Sequence, residues 1–496
     1  MSMTNTQEPT SHKQILKSTG ILGGVQIVTI LIRVLRNKII AVLLGPMGVG
    51  VAGLYQSTIE MVRSATGFGL NFSAVRDIAE AAGTNDQRRI SLAILILRRW
   101  IWFTGLLGMV LTLVFCKPLS RYAFGDEKYA WGVAILSLTL LMDELSGGQL
   151  ALLQGLRQIS AMARANVFGV VAGFCITVPL YWMMGVDGIV PALLLSAAVS
   201  LFLSWFYSRR VLVQPVTISV KETFCGGLGM VRLGFFTVIT GFATTAAMYA
   251  VRGFVSNKSG IEDVGQFQAA WNISSIYLAA VLQAMSTDYF PRLSAINNDN
   301  AKVVQLANEQ TEIALLVAGP LIVGMLSFMS LVVYLLYSAK FMGTVTILHW
   351  QLAGTFLKVL SWPIAFIILA KGRGGLFIFT ELCWNGIYLC LVYLGWSVFG
   401  LEITGMAFLV SFFVYLVILF VIVRRLCHFL WSKDCLKLIT VFGVATGCAF
   451  LVSRYSSGTK GYCVGGFLLS AVTVYSFYEL RKMVDVKTIF EKLLKW

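Results

Sequence analysis

Arg33, Arg36 and Lys38 sit inside an apolar run, Ile15 to Leu44, of the kind that crosses a bilayer, where a helix ordinarily carries no charge. Gly45-Pro46 marks the end of that run. At about 1.5 Å per residue, Arg33 lies roughly 16 Å inward from there, near the middle of a hydrocarbon layer about 30 Å thick. A cation at that depth costs at least about 2.5 kcal/mol on insertion scales, so it is retained where it faces a cavity or an anionic partner. The first segment therefore reads as part of a site for something negative. Arg33 and Arg36, three residues apart, share a helix face, whereas Lys38 is turned away from Arg33 by about 140°. If the helix ends early, Arg36 and Lys38 instead snorkel to the outer interface.

Further charges interrupt later apolar runs. Glu60 and Arg63 have i, i+3 spacing in the second, Asp143 and Glu144 lie deep in the fourth, Arg252 ends the seventh, and Lys358 stands midway along the tenth. Arg33, Arg36, Lys38, Arg63, Arg252 and Lys358 form the expected anion-binding set. Glu60, Asp143 and Glu144 are the expected counter-ions or coupling acids, and mid-membrane acids are otherwise scarce. Structural alternatives stand beside these roles: Glu60 and Arg63 can neutralise each other on one helix, one of Asp143 and Glu144 can pair with an arginine, and Arg252 can sit at the interface.

The elements that must hold these groups are membrane helices. Of 496 residues, 57% are hydrophobic and only 12% charged, with a mean hydropathy of +0.80; no soluble domain of this size has that composition. About fourteen apolar spans are expected: near 15–44, 49–73, 96–116, 129–153, 165–184, 188–207, 231–253, 265–289, 311–337, 344–370, 374–398, 403–423, 436–453 and 461–480. The formal charge of +16 is not read as nucleic-acid binding, because its distribution is one-sided. Alternate loops carry most of the basic residues, among them Arg88, Arg89, Arg157, Arg164, Arg209, Arg210, Arg292, Lys371, Arg424, Arg425, Arg481 and Lys482. The positive-inside rule then places both termini in the cytoplasm. Residues 1–14 are polar and lack the apolar core of a cleavable signal, so the first span is expected to direct insertion.

The loops are short, the longest being Ser208 to Gly227. No cysteines show paired spacing, and buried free thiols are expected. His12, His349 and His428 are scattered, with no metal-ligand spacing, P-loop or nucleophile motif, so neither metal nor cofactor is expected and the chain does not read as an enzyme. A faint internal repeat sets Gly48-Val49-Gly50 against Asp263-Val264-Gly265, an offset of 215 residues. Two repeated bundles rocking around a shared site is an expected transporter design.

The runs Leu43-Leu44-Gly45-Pro46-Met47-Gly48-Val49-Gly50 and Trp350-Gln351-Leu352-Ala353-Gly354-Thr355-Phe356-Leu357-Lys358, with Leu369-Ala370-Lys371 and Thr380-Glu381, resemble Wzx-type polysaccharide flippases of the multidrug/oligosaccharidyl-lipid/polysaccharide exporter superfamily. The resemblance covers roughly residues 10 to 425. Arg33-Val34-Leu35 also resembles a run in the related peptidoglycan-precursor flippases, and Arg63 falls near their second-helix arginine. Relatives often carry Asp where this chain has Thr355, which removes the proton-coupling role attached to that acid. The last two spans are additional to the twelve of many relatives.

The resemblance implies an all-α polytopic membrane protein with two six-helix lobes around a central cationic cavity. Residues 1–207 and 231–425 would be the lobes, 208–230 a cytoplasmic linker, and 426–496 a peripheral helix pair with a basic tail. It implies outward flipping of an undecaprenyl-pyrophosphate-linked oligosaccharide, such as an O-antigen or enterobacterial common antigen unit, across a Gram-negative inner membrane by alternating access. Arginine forks suit the pyrophosphate, while Tyr55, Trp271 or Trp362 would stack on sugars. Implied partners are the lipid-linked glycan, membrane lipid, and polymerase and chain-length proteins of the same pathway, with no nucleic acid. The competing readings are a multidrug antiporter of the same superfamily, against which the basic cavity argues, and a membrane-embedded glycan polymerase or ligase, which would need a sizeable external loop.

Overall fold

In the computed structural model, the described residues are 8–483 except 85, 212–213, 215, 217–218, 277–281, 283–284, 286–288 and 457. Every regular element among them is helical. Ten stretches are long and apolar enough to cross a membrane. Two of these, Ile159–Ser208 and Gly374–Cys427, each contain a pair of helices folded back at a short 3-10 turn, so the ten stretches hold more than ten crossings. The chain divides into two compact units, Met1–Gly265 and Gln266–Trp496.

The first unit opens with α1, Glu8–Thr66, whose 59 residues are interrupted at Gly45 (φ 66°, ψ −168°). An unbroken helix of that length would run about 90 Å, three hydrocarbon thicknesses. The break comes where the first two expected spans meet, and it needs both residues there. Glycine accepts the positive φ, and Pro46 cannot donate into the preceding turn. The second half ends at Thr66, seven residues before the apolar run does, because Phe68 (φ 46°) and Gly69 (φ 66°) turn the chain into α2, Leu70–Gly83. Then follow α3 (Gln87–Val114), α4 (Cys116–Phe124), α5 (Ala130–Gly155), α6 (Ile159–Met184), α7 (Ile189–Ser208) and α8 (Val220–Ser259). α3 packs on α5, α5 on α7, α6 on α7 and α1 on α6 and α8.

Much of the stretch expected as a linker is ordered helix. A reciprocal cap starts α8, with Glu222 N donating to Ser219 Oγ (3.1 Å) and Ser219 N to Glu222 Oε2 (2.8 Å). Such a box satisfies two orphan amides at a helix start, and its Ser-x-x-Glu spacing was readable in the sequence. Trp100 Nε1 and Arg99 Nη1 of α3 then donate to Thr223 O (3.0 Å) and Oγ1 (2.7 Å), pinning the segment.

The second unit contains α9 (Ile261–Trp271), which begins in the first unit and runs into a π-helical turn, Asn272–Ile276. The eighth expected span, 265–289, lies partly outside the described residues. After it come α10 (Asn300–Ser327), α11 (Met329–Leu336), α12 (Thr344–Ala370), α13 (Gly374–Phe399), α14 (Ile403–Cys427), α15 (Lys433–Tyr455) and α16 (Thr459–Met483). α12 lies against α10, α13, α14 and α15, and is correspondingly the most enclosed of the spans. The added pair α15 and α16 docks on α10 through small residues. A Cβ on Gly319 would strike the Phe442 ring, and one on Gly465 would come 2.7 Å from Ser327 Cβ. Close backbone approach is the usual currency of helix association in lipid, where apolar side chains gain nothing by leaving the bilayer.

The two halves of the faint sequence repeat touch. A Cβ on Gly50 would overlap the Ile261 carbonyl, and one on Gly265 would overlap the Pro46 carbonyl. Pro46 and Ile261 carry the same 215-residue offset as the two glycines, so the contact is reciprocal in the manner of a two-fold interface.

Candidate functional site

In the first unit the charged residues separate into two groups. Arg33 is exposed on α1, while Arg36 and Lys38 are half-buried. Arg36 turns under α6, where Tyr181, 3% exposed, lies within its electrostatic reach. Its Nε is buried without a hydrogen-bond acceptor among the described residues. A guanidinium has five donors and no acceptor capacity, so a buried one left unmatched costs on the order of 1–3 kcal/mol unless an anion supplies oxygens.

Arg63 is engaged differently. Its Nε donates to Glu144 Oε1 of α5 at 2.8 Å, and the Glu144 side chain is only 2% exposed. Glu60, its expected partner, instead accepts from Gln56 Nε2 at 2.9 Å. Two glycines admit the Arg63–Glu144 pair: a Cβ on Gly67 would lie 3.2 Å from Glu144 Oε1, and one on Gly147 would lie 3.2 Å from Arg63 Nη2 and 2.9 Å from Asn71 Nδ2. Glu144 Oε2 and Asn71 Oδ1 are buried beside the pair without donors among the described residues. Asp143 is half-buried next to them and feels the Arg63 charge. Arg252, near the end of α8, is buried at 6% exposure rather than placed at an open interface.

The second unit builds its own charged cluster on α12, α13 and α14. Lys358, midway along α12, holds its Nζ 5.8 Å from the centre of the Phe412 ring, a cation–π arrangement that compensates part of the lost hydration. Glu381 of α13 lies within electrostatic reach of Lys358 and accepts from Tyr415 Oη at 2.6 Å. One buried polar atom, Trp384 Nε1, adjoins the cluster without a hydrogen-bond partner among the described residues. Glu381 enters the sequence reading only as part of a family-like run and not among the intramembrane acids. It interrupts the apolar run 374–398 as plainly as Lys358 interrupts its own, and Glu312 in α10, which accepts from Ser432 Oγ at 2.9 Å, is another. Intramembrane acids are therefore not confined to Glu60, Asp143 and Glu144.

Other expected contacts are taken up by packing. Tyr55 is 5% exposed and packs on Phe124 at 4.8 Å. Trp271 meets Phe408 edge-on at 5.8 Å, and Trp362 lies 5.0 Å from Phe366. Tyr55 is thus closed to a sugar, and the two tryptophans are held in ring clusters. Trp350 donates to Glu402 at 2.7 Å, and Glu402 also takes Arg454 of α15 at 2.8 Å, a clasp between α12 and the added helix pair.

Charged residues thus stand within a bundle of apolar helices, and solved structures share this fold. It resembles the lipid II flippase MurJ in an inward closed conformation (TM-score 0.70, 11% identity, 94% of this chain and 99% of that one). It also resembles an inward-facing multidrug resistance MATE transporter of the MOP superfamily (TM-score 0.67, 15% identity, 81% and 94%). In sequence, the lipid III flippase of Escherichia coli (strain K12) is 23% identical over 385 residues, 77% of this chain and 91% of the relative. The family described as polysaccharide biosynthesis protein matches residues 39–346, and the chain belongs to that family.

Proposed function

We propose that the protein flips a lipid-linked oligosaccharide across the membrane as a MOP-superfamily transporter. The observation that carries this is Arg36, half-buried within a spanning helix with its buried Nε unmatched among the described residues; the flippase relatives named above support it. A lipid-linked glycan joins its sugars to its lipid through an anion that such a group would receive, and undecaprenyl pyrophosphate is the linker of the proposed substrate. Arg33, Arg36 and Lys38 form one anion-accepting station in the first unit, with Arg252 as a further cation, and Lys358 forms another in the second, while Arg63 is committed to Glu144. The protein works in a bacterial inner membrane, with both termini cytoplasmic, alongside the polymerase and chain-length proteins of its pathway.

The electrical potential of a cell negative inside favours outward movement of the anionic linker. For about two charges crossing the full field at about 100 mV, the gain is roughly 4.6 kcal/mol. Cations moving with the substrate reduce it.

The test is flipping of a labelled undecaprenyl-pyrophosphate oligosaccharide in proteoliposomes. Wild-type protein should move it in response to an imposed potential with no pH gradient, and R36A should be inactive at normal abundance. Efflux of cationic dyes with no glycolipid movement would instead establish the antiporter reading. In whole cells, a thiol at S259C should label from outside and one at S432C should not.

A further inference from the structure

On the first unit, α3, α5 and α7 enclose a groove of about 980 Å³. Its lining is chiefly apolar, with Trp102, Phe202 and Trp205 along it, and it holds two cations, Arg98 and Arg209. None of the described lining residues is acidic. Arg209 marks one end, following directly on the last residue of α7, and Arg98 stands on α3 about one helical turn beyond Ile94, the first residue of that helix to line the groove.

That end is also an aromatic belt. The Arg209 guanidinium lies 4.9 Å from the Trp205 ring and 4.7 Å from Phe206, Arg210 lies 5.0 Å from Phe206, and Arg164 lies 5.8 Å from Tyr207. Tryptophan and tyrosine with arginine gather at the level of lipid headgroups. From Arg209 the groove follows α7 inward to Ala198, and on α5 it runs from Leu152 to Met142. Helical rise makes each path about 15 Å, half of a hydrocarbon layer of about 30 Å. The groove is therefore one leaflet deep, open to lipid, and cationic where the headgroup of that leaflet would lie.

We propose that this groove binds one anionic phospholipid, its phosphate engaged by Arg98 and Arg209 and an acyl chain lying along Phe202 toward the bilayer centre. Gln149 fits the junction between the two parts. It lines the groove near its charged end, and its Oε1 already accepts from Ser204 Oγ at 2.6 Å, which leaves its amide N–H groups to donate to an ester carbonyl. The depth argues for an acyl lipid rather than a long isoprenoid tail, which would overrun a groove of one leaflet. A zwitterionic lipid would bring its own cation to a site that has two already. The site is separate from the transport stations and does not rest on the transport reading.

Trp102 and Trp205 report on occupancy. The intact protein is reconstituted in phosphatidylcholine vesicles with brominated-chain phosphatidylglycerol or, separately, brominated-chain phosphatidylethanolamine at equal mole fraction. Their part of the fluorescence, from twelve tryptophans in all, is the difference between the intact protein and W102F/W205F. Phosphatidylglycerol should quench that part saturably and at a lower mole fraction than phosphatidylethanolamine. R98Q or R209Q should each raise the half-quenching mole fraction about fivefold, the worth of one cation near an anionic headgroup. R98K/R209K should keep most of the preference.

Equal quenching of the intact protein by the two lipids would overturn the proposal, leaving ordinary boundary lipid, and that result needs no variant to fold. Displacement of brominated phosphatidylglycerol by undecaprenyl phosphate, but not by unlabelled phosphatidylglycerol, would also overturn it by assigning the groove to an isoprenoid. A preference that survives R98Q/R209Q in a folded variant would do the same.

Discussion

Arg63–Glu144 in the first unit and Lys358–Glu381 in the second each set an acid near a base inside the membrane, but they are built to opposite ends. The first pair is a direct 2.8 Å bond beside Gly67 and Gly147, and Glu144, whose side chain is 2% exposed, would be left buried and unpaired if Arg63 departed. In the second, the carboxylate bonds to Tyr415 and the ammonium rests over a ring, so each charge has a partner of its own. A directly bonded pair among glycines is architecture, whereas a base and an acid kept on separate supports can take part in a cycle. The comparison shows that intramembrane charge alone does not mark a functional residue; what its neighbours would lose on its departure does.

Breaking the first pair from one side should give the largest effect. R63A leaves Glu144 buried and unpaired, a loss on the order of 3–5 kcal/mol, at the lower end because Arg63 is 37% exposed. Thermal unfolding in detergent should show it, and R63M/E144L should recover much of it. If R63A melts with the wild type, the architectural reading of this pair fails.

K358A should instead leave the melting temperature nearly intact and cut flipping by about a hundredfold, the scale of a charge-assisted hydrogen bond to substrate. E381Q should impair flipping with a change in its response to a pH gradient, while D143N should be milder. Should K358A unfold the protein and R63A only slow transport, the two clusters would have to exchange roles.

Smaller changes refine the contrast. Y415F removes one hydrogen bond to Glu381 and should slow flipping by about three- to tenfold without lowering abundance. Smallest of all is the cap at Asp299, whose side chain accepts from Lys302 N at 3.2 Å. That bond holds the Asp299 carboxyl below its usual range. Its contribution is thus present above the unfolded carboxylate pKa and fades as the pH falls through the lower folded value. D299A should lower the melting temperature slightly at neutral pH and by progressively less as the pH falls below the ordinary carboxylate range, and D299N should preserve most of the cap.

The spans were legible because a bilayer imposes a length and a composition that few other environments demand. α12 begins at Thr344 and ends at Ala370, as its apolar run does, and the break at Gly45-Pro46 falls where the two residues announce it. The polar extensions were less visible, since Val220 onward forms helix through a cap and through bonds to Trp100 and Arg99 that lie far away in the chain. Partner choice was invisible for a related reason. Helical spacing makes Glu60 the natural mate of Arg63, yet α5 supplies a buried carboxylate 81 residues on with better geometry. Glu381 was legible as an intramembrane acid and not counted as one, its apolar flanks having been read only as span.

The crossing of Gly50 and Gly265 carries a consequence for how such a chain can change over generations. If the 215-residue offset records a duplicated ancestor, each copy still carries at this crossing a glycine whose Cβ would overlap a backbone carbonyl of the other. Neither copy can acquire a side chain there without obstructing its sibling. Divergence is therefore free in the segments that face lipid or substrate and tethered at the crossing, and a shuffled chain that joins one half to a distant relative's other half would have to match it at these two glycines before any other position mattered.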